Sequence, residues 1–380
     1  MTPPSDETCE AGEARETGGV LTIDLAALAD NYRLITRRAP AAHCAGVVKA
    51  DGYGLGIEPI ARTLWQAGCR VFFIATLAEG IALRALLPHA VLYVLNGLAP
   101  GHEEAFIAHG LRPVLGDLNQ LAAWSALGRS QDAPLAAALH IDTGMNRLGL
   151  DEAQTRELAA TPGLLDGVEL TLIMSHLACA DEPEHPQNAR QLASFRAALD
   201  ALPAAPASLA NSAGVFLGPA YHFDMLRPGV ALYGGNPQQK NPNPMAQVVH
   251  LQGRIIQVRR VDRGRAIGYG ASHVMERPGW IATVSLGYAD GYPRALGNRG
   301  YGVIAGVRAR LVGRVSMDLI TLDVTAAGPQ AARPGALVDL IGGQAPLDDV
   351  ARHAGTISYE LLTGLSRRLA RRYIGSGQAA

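Results

Sequence analysis

Lysine is rare in this chain, and one of its two lysines follows a run of apolar residues. Of 33 basic residues, only Lys49 and Lys240 are lysines. Arginine stays charged, whereas a lysine can lose its proton and attack a carbonyl to form a Schiff base. Lys49 ends an apolar run where a strand should end, and glycines at 52, 54 and 56 allow a ligand to approach the backbone. Catalytic groups of parallel-sheet enzymes lie at such strand ends. The sequence therefore predicts a reactive lysine, with an ordinary loop carrying a surface lysine as the alternative.

A later pair of segments has the composition of a phosphate site. Residues 211–214 read NSAG, and residues 227–234 read RPGVALYG. They fall at the last two predicted βα loops, where backbone N–H groups and hydroxyls often bind phosphate. A Schiff-base lysine early in the chain and a phosphate site late in it together predict pyridoxal phosphate as cofactor.

These segments must be positioned by a repeated strand and helix pattern. Apolar runs separated by helical stretches predict strands at residues 44–48, 71–74, 91–95, 112–115, 137–141, 170–174 and 229–233. Continuous apolar strands separated by helices indicate a parallel sheet that is covered on both faces. Some 220 residues of this pattern predict an α/β fold, a TIM (β/α)8 barrel. A doubly wound open sheet is the alternative.

Changes in composition and hydrophobic pattern along the chain predict four segments. Residues 1–19 form an acidic tail without the basic and apolar regions of a signal peptide, and 20–236 form the barrel. Residues 237–245 are a proline-rich linker. Residues 246–375 alternate in short apolar segments and predict a mostly β domain, which ends in a helix over 359–372.

The overall composition excludes several classes of function. The net charge is -1 and the isoelectric point is near 6.8, so no electrostatic signature of nucleic-acid or membrane binding is present. No apolar run reaches the ~18 residues of a transmembrane helix. The four cysteines are scattered without zinc spacing, which predicts no metal site and a reducing, cytoplasmic location.

Ordered motifs over residues 20–375 resemble the alanine racemase family. The motifs are VVKADGYGLG, HIDTGMNRLG, SHLACADE, NSAG, RPGVALYGG, IGYGA, GYADGYPR, GRVSMD and SYELLTGL. The resemblance implies a barrel that binds pyridoxal phosphate, a mostly β C-terminal domain, and interconversion of L- and D-alanine for cell-wall peptidoglycan. It also implies a homodimer with shared active sites.

The resemblance assigns a role to each matching residue. Lys49 binds the cofactor covalently and is one base, and Tyr269 is the opposing base. The residues expected to bind the cofactor are Lys49, Tyr53, Arg147, His176, Asn211, Ser212, Arg227, Gly229, Val230 and Tyr359. Those expected to bind the substrate are Arg147, Tyr288, Met317 and Asp318. In the family, Tyr269, Tyr288, Met317 and Asp318 come from the partner subunit.

Several alternatives and departures accompany this interpretation. His176 alone could be a core histidine, and Tyr269 between two glycines could be a turn aromatic. His140 stands where many family members carry a lysine that is often carbamylated, and Ser208 stands where a histidine is frequent. The rival functions are a broader amino-acid racemase acting on serine, a barrel-type decarboxylase, and a protein that only carries pyridoxal phosphate.

Overall fold

The computed structural model describes residues 18–131, 133–238 and 240–375. Most of the predicted acidic tail, residues 1–17, lies outside these described residues. The chain divides into two compact units. The barrel unit contains residues 28–232 and 236–245, and the β unit contains the described parts of 1–27, 233–235 and 246–380. The structure thus assigns the predicted linker to the barrel unit.

The first described strand, β1 (Gly19–Asp24), belongs to the β unit and not to the barrel. It pairs antiparallel with residues 249–253, more than 200 positions later in sequence. The prediction that the barrel begins at residue 20 is therefore wrong for this strand. Its alternating burial is typical of a strand with one face in a core.

The barrel unit is a ring of parallel strands. Its strands are β2 (His43–Cys44), β3 (Gly46–Val47), β4 (Val71–Ile74), β5 (Val91–Val94), β6 (Arg112–Leu115), β7 (Leu135–His140), β8 (Val168–Met174), β9 (Ala207–Ser208) and β10 (Met225–Leu226). Strands β3 to β9 are neighbours in sequence order, and β10 pairs with β2. A bridge between Asn211 and Arg227 joins the ends of β9 and β10. Because the short β2 and β3 flank Ala45 as one interrupted strand, the described residues form an eight-stranded closed barrel, as predicted.

One helix precedes the strands of the barrel, and the others follow individual strands. They are α1 (Leu25–Arg38), α2 (Ile57–Gln66), α3 (Leu77–Leu86), α4 (Glu103–Ala108), α5 (Leu118–Ser130), α6 (Glu152–Ala160) and α7 (Pro186–Ala201). Thr76 and Asp151 begin α3 and α6 with capping boxes, and Asp117 caps α5. Phe72, Phe73 and Ile74 of β4 are fully buried, as expected for a parallel strand with both faces covered.

The strand predicted at residues 229–233 is absent from the described chain, which forms turns there. The eighth strand is the earlier β10. Pro228 lacks an N–H group to continue the ladder, and the hydroxyl of Ser212 accepts the N–H groups of Gly229 and Ala231. The chain therefore leaves the sheet after Arg227.

The β unit is built around a second closed sheet. Its later strands are β11 (Val249–Val261), β12 (Ala266–Ile267), β13 (His273–Val274), β14 (Gly279–Ser285), β15 (Tyr301–Ile304), β16 (Val307–Leu311), β17 (Leu319–Asp323), β18 (Leu337–Ile341) and β19 (Ala370–Ile374). The order β14-β17-β16-β15-β18-β11 closes through pairing of β11 with β14. β1 joins β11, and β19 joins β1 in parallel.

The helices of the β unit are short. They are α8 (Gly328–Ala331), α9 (Leu347–Ala354) and α10 (Ser358–Gly364). The helix predicted over 359–372 is wrong in its second half, because the chain leaves α10 at Gly364 and residues 370–374 pair with β1. None of the described helices combines the length and hydropathy needed to cross a bilayer.

Candidate active site

The carboxyl ends of the barrel strands gather the predicted cofactor residues of the barrel unit. Lys49 follows β3, His176 follows β8, Ser212 follows β9 and Arg227 follows β10. Arg147 lies in the loop after β7. Since the strands are parallel and neighbours in the ring, these positions share one rim, the end at which barrel enzymes carry their active sites.

Lys49 is the half-buried amine at this rim. Burial lowers its pKa, the positive charge of Arg147 lowers it further, and the carboxylate of Glu79 opposes both effects. A lower pKa increases the fraction of neutral amine, which is the form that attacks a carbonyl or accepts a proton. The environment of Lys49 thus suits the chemistry predicted for it.

The residues after Lys49 form a left-handed turn. Ala50, Asp51 and Tyr53 have φ of 55°, 55° and 56°, in a region that L residues avoid. At ~1–2 kcal/mol for each residue, the three cost about 3–6 kcal/mol. Contacts must hold such a turn: the N–H of Ala50 donates to Glu79 (2.7 Å), and the N–H of Ile57 donates to Asp51 (2.9 Å).

A pocket of backbone N–H groups and hydroxyls lies around Ser212. Its Oγ accepts the N–H groups of Gly229 (2.9 Å) and Ala231 (3.2 Å). The N–H of Val230 between them donates to no described residue. A Cβ on Gly229 would lie only 2.1 Å from Tyr53 Oη, so the tyrosine hydroxyl rests directly on the glycine. Backbone donors and hydroxyls of this kind fit a phosphate group, and only glycine leaves room for Tyr53.

Asn211 shapes the same loop without pointing its amide at the pocket. Its Oδ1 accepts the N–H of Gly214 (2.9 Å), and its Nδ2 donates to the carbonyl of Leu177 (3.3 Å). Asn211 therefore fixes the backbone that carries Ser212. A direct role in binding the cofactor stays a prediction.

Arg227 is a buried cation, 4% exposed, whose described partners are neutral. Its guanidinium donates to the hydroxyl of Ser208 and to the carbonyl of Ser175. Burial lowers its pKa to about 9. Arginine nevertheless stays protonated at neutral pH. A buried guanidinium with no carboxylate partner in the described chain suits an electron-rich ligand atom, such as a ring nitrogen that is to remain unprotonated.

Two histidines at the rim are neutral. Burial and the charge of Arg227 lower the pKa of His140 to about 4 and place that of His176 well below its ordinary range. Arg147 adds to both effects. The positive charge of this rim is therefore carried by arginines and not by histidines.

Arg147 is exposed on a tightly turned loop. Asp142 Oδ1 accepts the N–H groups of Gly144 and Met145, both at 2.9 Å, and Asn146 has a φ of 55°. This turn brings the charge of Arg147 close enough to Lys49 to affect its pKa. The geometry brings together five of the predicted cofactor residues, Lys49, Tyr53, Ser212, Arg227 and Gly229, with Arg147 and His176 beside them.

The β unit carries the other predicted residues. Tyr269, Tyr288 and Met317 are 72%, 42% and 54% exposed, which is unusual for large apolar side chains. Tyr269 begins a single 3₁₀ turn between Gly268 (φ 68°) and Gly270 (φ 69°). Tyr359, the last of the predicted cofactor-binding residues, is exposed on α10.

The loops of Tyr288 and Met317 are joined by backbone hydrogen bonds. The N–H of Tyr288 donates to Ser316 (3.1 Å), and the N–H of Ala289 donates to Met317 (2.9 Å). Arg368 then bridges Asp318 (2.8 Å) and the buried Asp290 (3.3 Å). Asp318 thus holds the loop in place in this structure, while its predicted contact with substrate stays a prediction.

Sequence reasoning missed several residues that position this site. Glu79 binds the turn after Lys49, and Ser208 and Ser175 bind Arg227. Thr76 and Glu79 do show the spacing of a capping box, but no local pattern reveals that the same carboxylate reaches residue 50. Ser208 stands where a histidine is frequent in the family, and its hydroxyl accepts a hydrogen bond from Arg227.

Comparison with known proteins identifies the family. The family models "Alanine racemase, N-terminal domain" and "Alanine racemase, C-terminal domain" match residues 23–237 and 248–373. The chain belongs to the alanine racemase family. Its similar relatives include the catabolic alanine racemase of Agrobacterium fabrum, 51% identical over 95% of this chain and 93% of the relative. The alanine racemase of Rhodospirillum rubrum is 48% identical over 97% of this chain and its own full length.

Solved alanine racemases share the fold. The structure from Bartonella henselae, which has covalently bound pyridoxal phosphate, has a TM-score of 0.91 at 39% identity, covering 94% of this chain and 99% of that one. The biosynthetic alanine racemase of Pseudomonas aeruginosa has a TM-score of 0.88 with the same identity and coverage. The predicted family and fold class are confirmed.

Proposed function

We propose that this chain is an alanine racemase that uses pyridoxal phosphate to interconvert L- and D-alanine. The observation that carries the proposal is the juxtaposition at one barrel rim of Lys49, a buried Arg227 and the donors around Ser212. Membership of the family supplies the substrate. The residues fit the cofactor, because an amine, a phosphate pocket and a guanidinium without a carboxylate are what its aldehyde, phosphate and ring nitrogen require.

Racemisation requires a proton to leave Cα on one face and return on the other. Bound pyridoxal phosphate withdraws electrons from the substrate, which makes this proton removable. Lys49 Nζ, neutral as its lowered pKa favours, accepts the proton on one face. Tyr269 Oη donates a proton on the opposite face, and the two groups exchange roles in the reverse direction.

Arg227 sets the strength of this electron withdrawal. Arg227 would hold the ring nitrogen of the bound cofactor and leave it unprotonated, because a guanidinium does not give up a proton at neutral pH. Ser208 and Ser175 hold the guanidinium in place. Arg227 would thereby favour proton exchange over transamination. Arg147 would hold the substrate carboxylate.

We assign the residues of the β unit to a shared site in a homodimer. The exposure of Tyr269, Tyr288 and Met317 supports this assignment, since exposed aromatic and Met side chains are typical of interfaces. The loops of Tyr288 and Met317, which are hydrogen-bonded to each other, would present these two side chains to the partner's barrel as a rigid group. Tyr288 and Met317 would limit the size of the substrate and favour alanine over larger amino acids.

The proposed setting is the cytoplasm, with D-alanine supplied for cell-wall peptidoglycan. The described cysteines Cys44, Cys69 and Cys179 are free, as is usual in a reducing compartment.

The test is chiral chromatography of L-alanine and L-serine after incubation with the protein and pyridoxal phosphate. We expect D-alanine in large excess over D-serine and no amine from decarboxylation. Equal rates with serine would favour the broader racemase, and an amine product would favour the decarboxylase.

A variant tests the assignment of the second base. Tyr269→Phe should bind the cofactor normally and lose racemisation by about 10²–10⁴-fold, the usual contribution of a general acid or base. Tyr221→Phe is the matched control, because Tyr221 precedes β10 and lies at the opposite end of the barrel. If Tyr269→Phe racemises alanine at the normal rate, this tyrosine is not the second base.

A further inference from the structure

Glu79 has a contact that a helix cap does not need. Its carboxylate caps its own helix α3 by accepting the N–H groups of Ala75 (2.8 Å) and Thr76 (3.3 Å) through Oε2. Its other oxygen, Oε1, accepts the N–H of Ala50 at 2.7 Å, across 29 positions of sequence. A charged acceptor at this distance makes a strong hydrogen bond.

The bound N–H belongs to the peptide group that follows Lys49. This peptide is attached to the Cα of Lys49, so its orientation sets the direction in which the lysine side chain leaves the backbone. The next residues are held in the left-handed region, with φ of 55° at Ala50 and Asp51. Such a conformation persists only where surrounding contacts determine it. Glu79 provides such a contact at the peptide group that directly follows the lysine.

Glu79 also joins two strand ends. The N–H of Val48 donates to the carbonyl of Phe73 in β4 (3.0 Å). Just beyond the sheet, the Glu79 carboxylate joins the same two segments, because it accepts the N–H of Ala50 and the N–H of Ala75. The strand that carries Lys49 is thereby fixed to its neighbour on the rim itself.

We propose that Glu79 is a positioning residue for the reaction: its carboxylate fixes the turn after Lys49, directs the lysine into the site and balances the arginine charge around it. This inference rests on the proposed function. The carboxylate raises the pKa of Lys49 against the lowering effects of burial and Arg147, so the same group orients the amine and helps it to retain a proton.

Three variants separate orientation, charge and helix capping. Glu79→Gln keeps the shape and removes the charge. Glu79→Asp keeps the charge and shortens the reach to Ala50. Thr76→Val, the control, removes the hydroxyl that accepts the N–H of Glu79 (3.3 Å) and leaves the bond to Ala50 intact.

The titration of Lys49 can be read without measuring activity. The chain has two lysines, and exposed Lys240 is an internal reference. The full-length protein, freed of cofactor, is labelled with trace acetic anhydride over a range of pH, and acetylation of each lysine is quantified by mass spectrometry. The midpoint for Lys49 should move to lower pH in Glu79→Gln and stay near the wild-type value in Glu79→Asp and Thr76→Val.

Activity then reports on orientation. In the cofactor-loaded enzyme, kcat should fall by about 10–100-fold in both Glu79 variants, as for a misplaced catalytic group, with little change in KM. Thr76→Val should keep its kcat. The inference is overturned if Glu79→Gln retains both the midpoint and kcat, or if Thr76→Val loses as much kcat as Glu79→Gln. Absence of racemisation in the wild type would instead refute the proposed function, whatever the labelling shows.

Discussion

Replacing Gly229 with alanine tests the phosphate pocket most sharply. The new Cβ would lie 2.1 Å from Tyr53 Oη and 2.9 Å from its Cζ, and both distances are shorter than the ~3.5 Å of an ordinary contact. The φ of Gly229 is not positive, so alanine can adopt the same backbone conformation. Any effect of the substitution therefore comes from this overlap and not from backbone strain. Tyr53 is buried on a strained turn and has little room to move.

The overlap should weaken cofactor binding. Overpacking of this kind costs ~1–3 kcal/mol. If the whole cost falls on the pocket, the Kd for pyridoxal phosphate rises by about 5- to 150-fold. Titration of the cofactor-free protein, followed by absorbance, measures this change. Gly163→Ala is the control, because its Cβ would meet only Asp166 Oδ2, at an ordinary 3.5 Å.

A second substitution shows whether the overlap is the cause. Tyr53→Phe removes the oxygen that would lie 2.1 Å from the new Cβ. The double variant Gly229→Ala, Tyr53→Phe should therefore lose less binding free energy for the cofactor than the two single variants lose together. Rescue should be partial, since Cζ stays close. Normal binding by Gly229→Ala, or fully additive losses in the double variant, would refute this account of the pocket.

Three other substitutions test separate features. The His140 imidazole titrates near 6.5 when unfolded but at about 4 in the fold, so between these values the unfolded chain binds more protons and the free energy of unfolding falls as the pH falls. In the cofactor-free protein, the free energy of unfolding should therefore fall by about 3 kcal/mol less in His140→Gln than in the wild type between pH 6.5 and 4. The dependence of Tm on pH should be flatter in this variant, and an unchanged slope would contradict the prediction. Arg84 donates hydrogen bonds of 2.7–2.8 Å to the carbonyls of Pro88, Ala90, His109 and Gly110. Arg84→Lys should therefore lower the free energy of unfolding by ~2–4 kcal/mol without changing kcat. An unchanged Tm would show that these hydrogen bonds contribute little to stability. Arg227→Glu should raise the rate of pyruvate formation relative to racemisation, because a carboxyl group can protonate the ring nitrogen, and an unchanged ratio would remove that role from Arg227.

Local chemistry in the sequence predicted the parts of the site that lie directly after strands. The rarity of lysine and the glycines after it identified Lys49, and the last two βα loops identified Ser212 and Gly229. These signals are local, because a strand end and its loop are adjacent in sequence. The barrel followed from the same alternation of apolar runs and helices.

The rest depends on contacts between distant segments. The pairing of β1 with β11 joins positions that no periodicity relates. The apolar run at 229–233 has the composition of a strand, but the Ser212 hydroxyl holds it as turns. Glu79 is readable as a helix cap, whereas its bond to Ala50 depends on the barrel bringing β3 and β4 side by side.

The central claim is that two bases act on opposite faces of alanine. The most direct measurement is incubation of L-alanine with the protein and pyridoxal phosphate in D₂O, followed by NMR and chiral chromatography. The account predicts D-alanine that carries deuterium at Cα. Deuterium exchange with retained L configuration would mean that only one base acts, and the absence of both exchange and D-alanine, with cofactor bound, would contradict racemisation of alanine by this chain.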